Sequence, residues 1–114
     1  MKIIRNNLIP FRGFKAMNLF GVLFVRGRDT VLTDSDMRHE TIHTAQMRET
    51  LYVPFYVLYL LMYAWMLLLY GNGFKAYRNI PFEREAYWNE RKPTYLGRRK
   101  PWAWLEYLGR ENAL

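Results

Sequence analysis

The sequence predicts an α+β fold, with a small N-terminal β-hairpin or sheet followed by a mostly helical remainder. Three observations predict it. Residues 1–32 are rich in strand formers and turn residues. Helix-start signals stand at Thr33 and again at Asn79-Ile80-Pro81. Between them, residues 51–70 form an uncharged apolar run far longer than an ordinary strand. At 114 residues the chain is expected to make one minimal domain, 1–114, with a real core but little margin.

Taken in order, Pro10 and Gly13 punctuate an early loop. Asn18-Leu19-Phe20-Gly21-Val22-Leu23-Phe24-Val25 reads as a strand, Arg26-Gly27-Arg28-Asp29 as a turn, and Thr30-Val31-Leu32 as the returning strand of a hairpin. Thr33 can cap a helix, with Asp36 three residues on completing a variant capping box. That helix should run from about residue 34 towards 51, its acidic start suiting the positive end of the helix dipole. A second helix follows through residues 51–70, with Pro54 in its first turn and Gly71-Asn72-Gly73 ending it. A third starts at Pro81 and should stop before Pro93. A last short helix fits residues 102–108, between Pro101 and Gly109.

Composition narrows the chemistry. The chain has no cysteine, which excludes disulfides, thiolate metal ligands and a cysteine nucleophile. Its net charge of +7 favours polyanionic surfaces. No named nucleic-acid-binding motif accompanies that charge, so nucleic acid is not the expected partner. The C-terminal third, with Arg98-Arg99-Lys100 beside Trp102 and Trp104, suits an anionic membrane surface. The N-terminus lacks the apolar stretch of a secretory signal, so a cytoplasmic protein is expected, with the cytoplasmic face of a membrane as the second placement.

The chain's two histidines both lie in His39-Glu40-Thr41-Ile42-His43. On a helix, positions i and i+4 share a face, so both imidazoles can reach one ion, with Gln46 near the same face. Glu40 follows the first imidazole directly and points to an adjacent face, where it can take a proton from water and return it. This HExxH pattern carries a known mechanism, metal-assisted hydrolysis. Two imidazoles do not complete a zinc site, and with neither cysteine nor a third histidine the remaining ligand must be a carboxylate. Glu83-Arg84-Glu85-Ala86 offers two at the start of a predicted helix. Glu90, two turns further on, reads as a surface charge.

Together, His39-Glu40-Thr41-Ile42-His43 and Glu83-Arg84-Glu85-Ala86 resemble the two motifs of the gluzincin metallopeptidases, in order. The resemblance covers these two short segments. It implies a zincin-like helical core, zinc as cofactor, and a peptide or protein substrate. It further implies His39, His43 and Glu83 as metal ligands and Glu40 as general base; Glu85, the other carboxylate of that segment, is the second choice to Glu83. One position departs from the membrane-peptidase branch, where an Asp after the Ala supports a ligand histidine. Tyr87 stands there instead, a phenol able to donate to an oxyanion, as could Tyr95. An extended substrate could add to the strand spanning residues 19–25.

A single crossing by residues 51–70 would leave His39 and Glu83 on opposite sides of a bilayer. The segment is therefore expected to be a buried core helix, with an interfacial position as the alternative. An all-round apolar helix in so small a chain needs further cover, from a second copy, another partner or lipid. The competing functional class is a non-catalytic module that binds zinc structurally, a membrane surface or a partner.

Overall fold

A computed structural model describes residues 2–8, 15–28 and 30–110. Pro10, Gly13 and Asp29 lie outside the described residues. The fold is α+β, as the sequence predicts, with a small sheet leading into helices. Strands β1 (Lys2–Asn6), β2 (Ala16–Leu19) and β3 (Val22–Arg26) form a sheet in the order β1-β3-β2. β1 runs parallel to β3, and β2 runs antiparallel to it.

The run from Asn18 to Val25 is not one strand but a hairpin folded on itself. Leu19 pairs with Val22 across Phe20 and Gly21, whose φ angles are 54° and 85°. Two successive positive φ values define the turn whose twist matches a two-residue hairpin, and Gly21 adopts its value without a Cβ penalty. Asn18 Oδ1 accepts from Gly21 N at 3.0 Å and fixes the bend. Residues 30–32, expected to be the returning strand, form no strand, because β1 and β2 already occupy both edges of β3. The strand span foreseen for substrate addition is corrected likewise. β3 is central and fully paired, and β2 is the edge. Leu23 and Val25 alternate inward and are wholly buried.

Helix α1 (Asp34–Glu49) starts at the foreseen capping box. Thr33 Oγ1 accepts from Asp36 N at 3.1 Å, and Asp36 Oδ2 accepts from Thr33 N at 2.9 Å. Asn18 Nδ2 donates to Glu40 O at 2.8 Å and to Thr44 Oγ1 at 2.9 Å, tying the hairpin to the middle of α1. Leu51 and Tyr52, both at positive φ, turn the chain sharply into α2 (Val53–Tyr70), with Pro54 in its first turn. Gly71, at φ 64°, ends α2. Asn72 then caps an unforeseen short helix, α3 (Gly73–Arg78), which reverses the chain. α4 (Pro81–Asn89) follows and packs on α1. It ends well before Pro93. A single turn, α5 (Tyr95–Arg98), precedes a 3₁₀ helix, Ala103–Tyr107, within the short helix expected over residues 102–108.

Met47, Phe55, Ile80, Phe82 and Trp104 make the buried core where α1, α2, α4 and the 3₁₀ helix meet. The expectation that residues 51–70 form a buried core helix is corrected. In α2 only Phe55 and Met66 are buried, while Leu68 is 81% and Leu60 66% exposed. Too few elements surround α2 to cover more than one side. It is the helix among the described residues long and apolar enough to cross a membrane.

Candidate metal centre

α1 and α4 lie side by side, and their facing residues build one site. His39 and His43 point from one face of α1, as their four-residue spacing requires. Glu83 approaches from the first turn of α4. Its Oε1 stands 3.0 Å from His39 Nε2 and 2.9 Å from His43 Nε2, and the two imidazole nitrogens are 3.1 Å apart. All three residues are buried. They form the group among the described residues that could hold a metal ion.

The outer partners decide which atoms carry protons. His39 Nδ1 faces Glu90 Oε1 at 3.0 Å, and His43 Nδ1 faces Gln46 Oε1 at 2.7 Å. Gln46 Nε2 donates to Phe82 O at 2.9 Å and to Glu85 Oε1 at 3.0 Å, which fixes its oxygen towards His43. Both Nδ1 atoms thus meet acceptors and must donate. In neutral imidazoles each Nε2 then holds a bare lone pair. Tyr59 donates to the other Glu83 oxygen at 2.6 Å, leaving Oε1 directed at the rings. With both imidazoles neutral, three acceptors would therefore converge with no proton between them, an arrangement that calls for a cation.

The donor set fits a divalent ion such as zinc. Tetrahedral bonds of about 2.0–2.1 Å place neighbouring ligand atoms roughly 3.3 Å apart, close to the separations seen. Without an ion, protons answer the same electrostatic demand. Burial disfavours a charged His39, but hydrogen bonds to Glu83 and Glu90 outweigh it and lift its pKa to about 10. His43 is raised for a similar reason, with burial again overcome by Glu83. Burial would raise Glu83 too, yet the two imidazoles drive it well below the usual carboxylate range.

Glu40 stands beside the trio on the wall of a cavity of about 940 Å³, which His39, His43 and Glu83 also line. Burial raises the Glu40 pKa against the lowering pull of both imidazoles. Most of the remaining wall is apolar, including Leu19, Leu32, Phe55, Leu60 and Phe74. Tyr87 also lines it. Its ring meets His39 edge-on with centroids 4.4 Å apart, and its hydroxyl lies 3.2 Å from that of Tyr77. Burial raises both phenols, so each keeps its proton and can donate.

Three expectations are corrected. Glu85, the second choice as ligand, points away from the rings. Two residues from Glu83 is a little over half a turn, and Glu85 instead accepts from Gln46, Tyr95 and Arg99. Tyr95, whose hydroxyl is bound to Glu85 at 2.8 Å, is likewise removed from the cavity. Glu90 is no free surface charge. Seven residues after Glu83 it returns to the same face and holds His39 by Nδ1, while Arg38 Nη1 holds its backbone oxygen at 2.6 Å. It supports His39 through Nδ1, whereas Tyr87 meets the same imidazole only by the edge-on contact of its ring. The i to i+7 spacing was the available signal.

The fold and site define an α+β protein with a His-His-Glu group able to bind a metal ion. In comparisons with known protein families, curated proteins and solved structures, the chain matches none.

Proposed function

We propose that this chain is a zinc-dependent hydrolase of the gluzincin kind, most simply a peptidase, with His39, His43 and Glu83 as ligands and Glu40 as general base. The observation that carries this reading is the convergence of two Nε2 atoms and a carboxylate oxygen, each residue fixed from behind by its own hydrogen bond. A structural zinc site closes all four positions with protein ligands. Here three protein ligands line an open cavity, which leaves a position for water and favours catalysis over a purely structural ion. A divalent ion bound there would supply an acidified water and polarise a substrate carbonyl.

The chain's own groups do the rest. Glu40 accepts the proton of the attacking water and delivers it to the leaving group. Glu90 and Gln46 hold the imidazoles in the tautomer that exposes Nε2. The Tyr87 hydroxyl, on the same wall, is the donor proposed for the developing oxyanion. The apolar wall orients a substrate and thins the water around the reacting bond.

The test is metal content and peptide hydrolysis in parallel. Wild-type protein should carry one equivalent of zinc and cleave an unfolded protein substrate. Glu40→Gln should keep the zinc and lose about 10²–10⁴-fold in rate. His39→Ala should lose both. Zinc-loaded wild-type protein that cleaves no peptide or ester, or Glu40→Gln as active as the parent, would sink the proposal.

A further inference from the structure

The exposed side of α2 invites a partner that the site does not account for. Val53, Val57, Leu60, Leu61, Trp65 and Leu68 all stand in solvent. At about 100° per residue, the exposed positions of this helix sweep roughly 200° of its circumference. A helix seated on one neighbour hides a stripe nearer 100° wide, so a single packed partner helix would leave much of this arc bare. Lipid covers a broad convex apolar surface without that restriction.

Charge selects among surfaces. Between Glu49 and Glu83 the sequence contains no acidic residue, and its charges there are Lys75 and Arg78. Lys75 is exposed, its ammonium 4.7 Å above the Tyr70 ring at the end of α2. Arg48 is exposed just before α2 begins. In sequence the apolar helix is therefore flanked by cations on both sides, with Lys75 set at its C-terminal end, on a chain of net charge +7. The cavity borders the same face, because Leu60 and Phe74 line it and are also 66% and 67% exposed.

We infer that the exposed face of α2, with Phe74 and Lys75 of α3, seats in an anionic lipid bilayer, so that the cavity opens at the lipid surface. Apolar side chains enter the acyl region while Arg48 and Lys75 meet the headgroups. This placement rests on the exposed face and not on the hydrolase reading, although it would present apolar, membrane-borne substrates to the site.

The test is co-sedimentation of the full chain with vesicles of phosphatidylcholine alone or mixed equally with phosphatidylglycerol. The wild type should partition onto the mixed vesicles and bind the neutral ones less well. Leu61→Glu with Leu68→Glu, both at solvent-exposed positions, should weaken partition by about tenfold or more. Lys75→Glu should weaken it on the mixed vesicles alone. Wild-type protein that stays in the supernatant overturns the inference. So does a Leu61→Glu/Leu68→Glu variant that binds like the parent, or a lipid-indifferent dimer that this variant dissociates. Zinc content, read on the same samples, separates the two proposals. Vesicle binding without zinc defeats only the hydrolase, and zinc without vesicle binding defeats only the bilayer contact.

Discussion

Replacing Glu90 tests the logic of the metal centre without touching a ligand. Its carboxylate lies 3.0 Å from His39 Nδ1, and its side chain is 19% exposed, so the contact is largely shielded from water. A hydrogen bond to a charged group contributes about 1.5–3 kcal/mol under such conditions, or roughly 10–100-fold in a binding constant. The two obvious variants divide that amount. Glu90→Gln keeps an acceptor for Nδ1–H and loses only the charge, so zinc affinity should fall about tenfold. Glu90→Ala removes the acceptor and frees the ring to turn or change tautomer, so the fall should approach about 100-fold. Competition against a chromogenic chelator at fixed pH measures both. Equal affinities for all three proteins would refute the reasoning, because His39 would then be held by something other than Glu90. Refutation would also follow if Glu90→Gln lost as much as His39→Ala.

Zinc binding should release protons. His39, with its pKa at about 10 in the metal-free fold, is protonated at neutral pH and must give up that proton to bind. Affinity should therefore fall by about ten- to a hundredfold per pH unit on acidification, for one or two protons displaced. Calorimetry in buffers of different ionisation enthalpy reads the number directly, and zero released protons would contradict the assignment. Gly21→Ala should cost about 1–2 kcal/mol in urea unfolding through backbone strain at φ 85°. The new Cβ would meet only Thr44 Cγ2, at an ordinary 3.5 Å, so a neutral result would show that the hairpin turn relaxes. Arg99→Met should cost about 3–5 kcal/mol, because it strands the buried Glu85 carboxylate that Arg99 Nε holds at 2.6 Å. Adding Glu85→Gln should recover part of the loss, and a single-variant cost below about 1 kcal/mol would refute the account.

What was legible in the sequence was what depends on local spacing. The capping box at Thr33 and Asp36, the shared face of His39 and His43, and the start of α4 at Pro81 follow from three to four residues of context. Glu83 was reached from the absence of other ligand types together with the two-motif resemblance, and α1 against α4 brings it to the rings. What was missed depends on contacts distant in the chain. Glu90 looked like any charge at a helix end until the α1–α4 packing placed it 3.0 Å from His39. The parallel pairing of β1 with β3 joins residues about twenty positions apart and leaves no periodic trace between them. Phe20-Gly21 hid a hairpin turn inside an apolar run, although the glycine marked it. The apolar content of α2 stated what it avoids but not what covers it.

The site and the α1–α4 seam are the same set of contacts, and this bears on what an ion would do. Glu83 is buried beside two buried imidazoles, an arrangement whose desolvation cost is large unless opposite charge is present. In the metal-free fold that charge must come from protons on the imidazoles, so the seam depends on pH. A divalent ion would supply it at any pH where the imidazoles stay neutral, and every bit of binding energy would also favour the folded seam over the open chain. The partners behind the trio show where that energy would spread. Gln46 joins His43 to the Phe82 backbone and to Glu85, and Arg99 carries the network on to Glu49. Through these links the candidate centre is braced against the core on one side, while its Glu40 side remains open to the cavity. Rigid support behind the ligands and free space before them is the division that hydrolysis at this site would require.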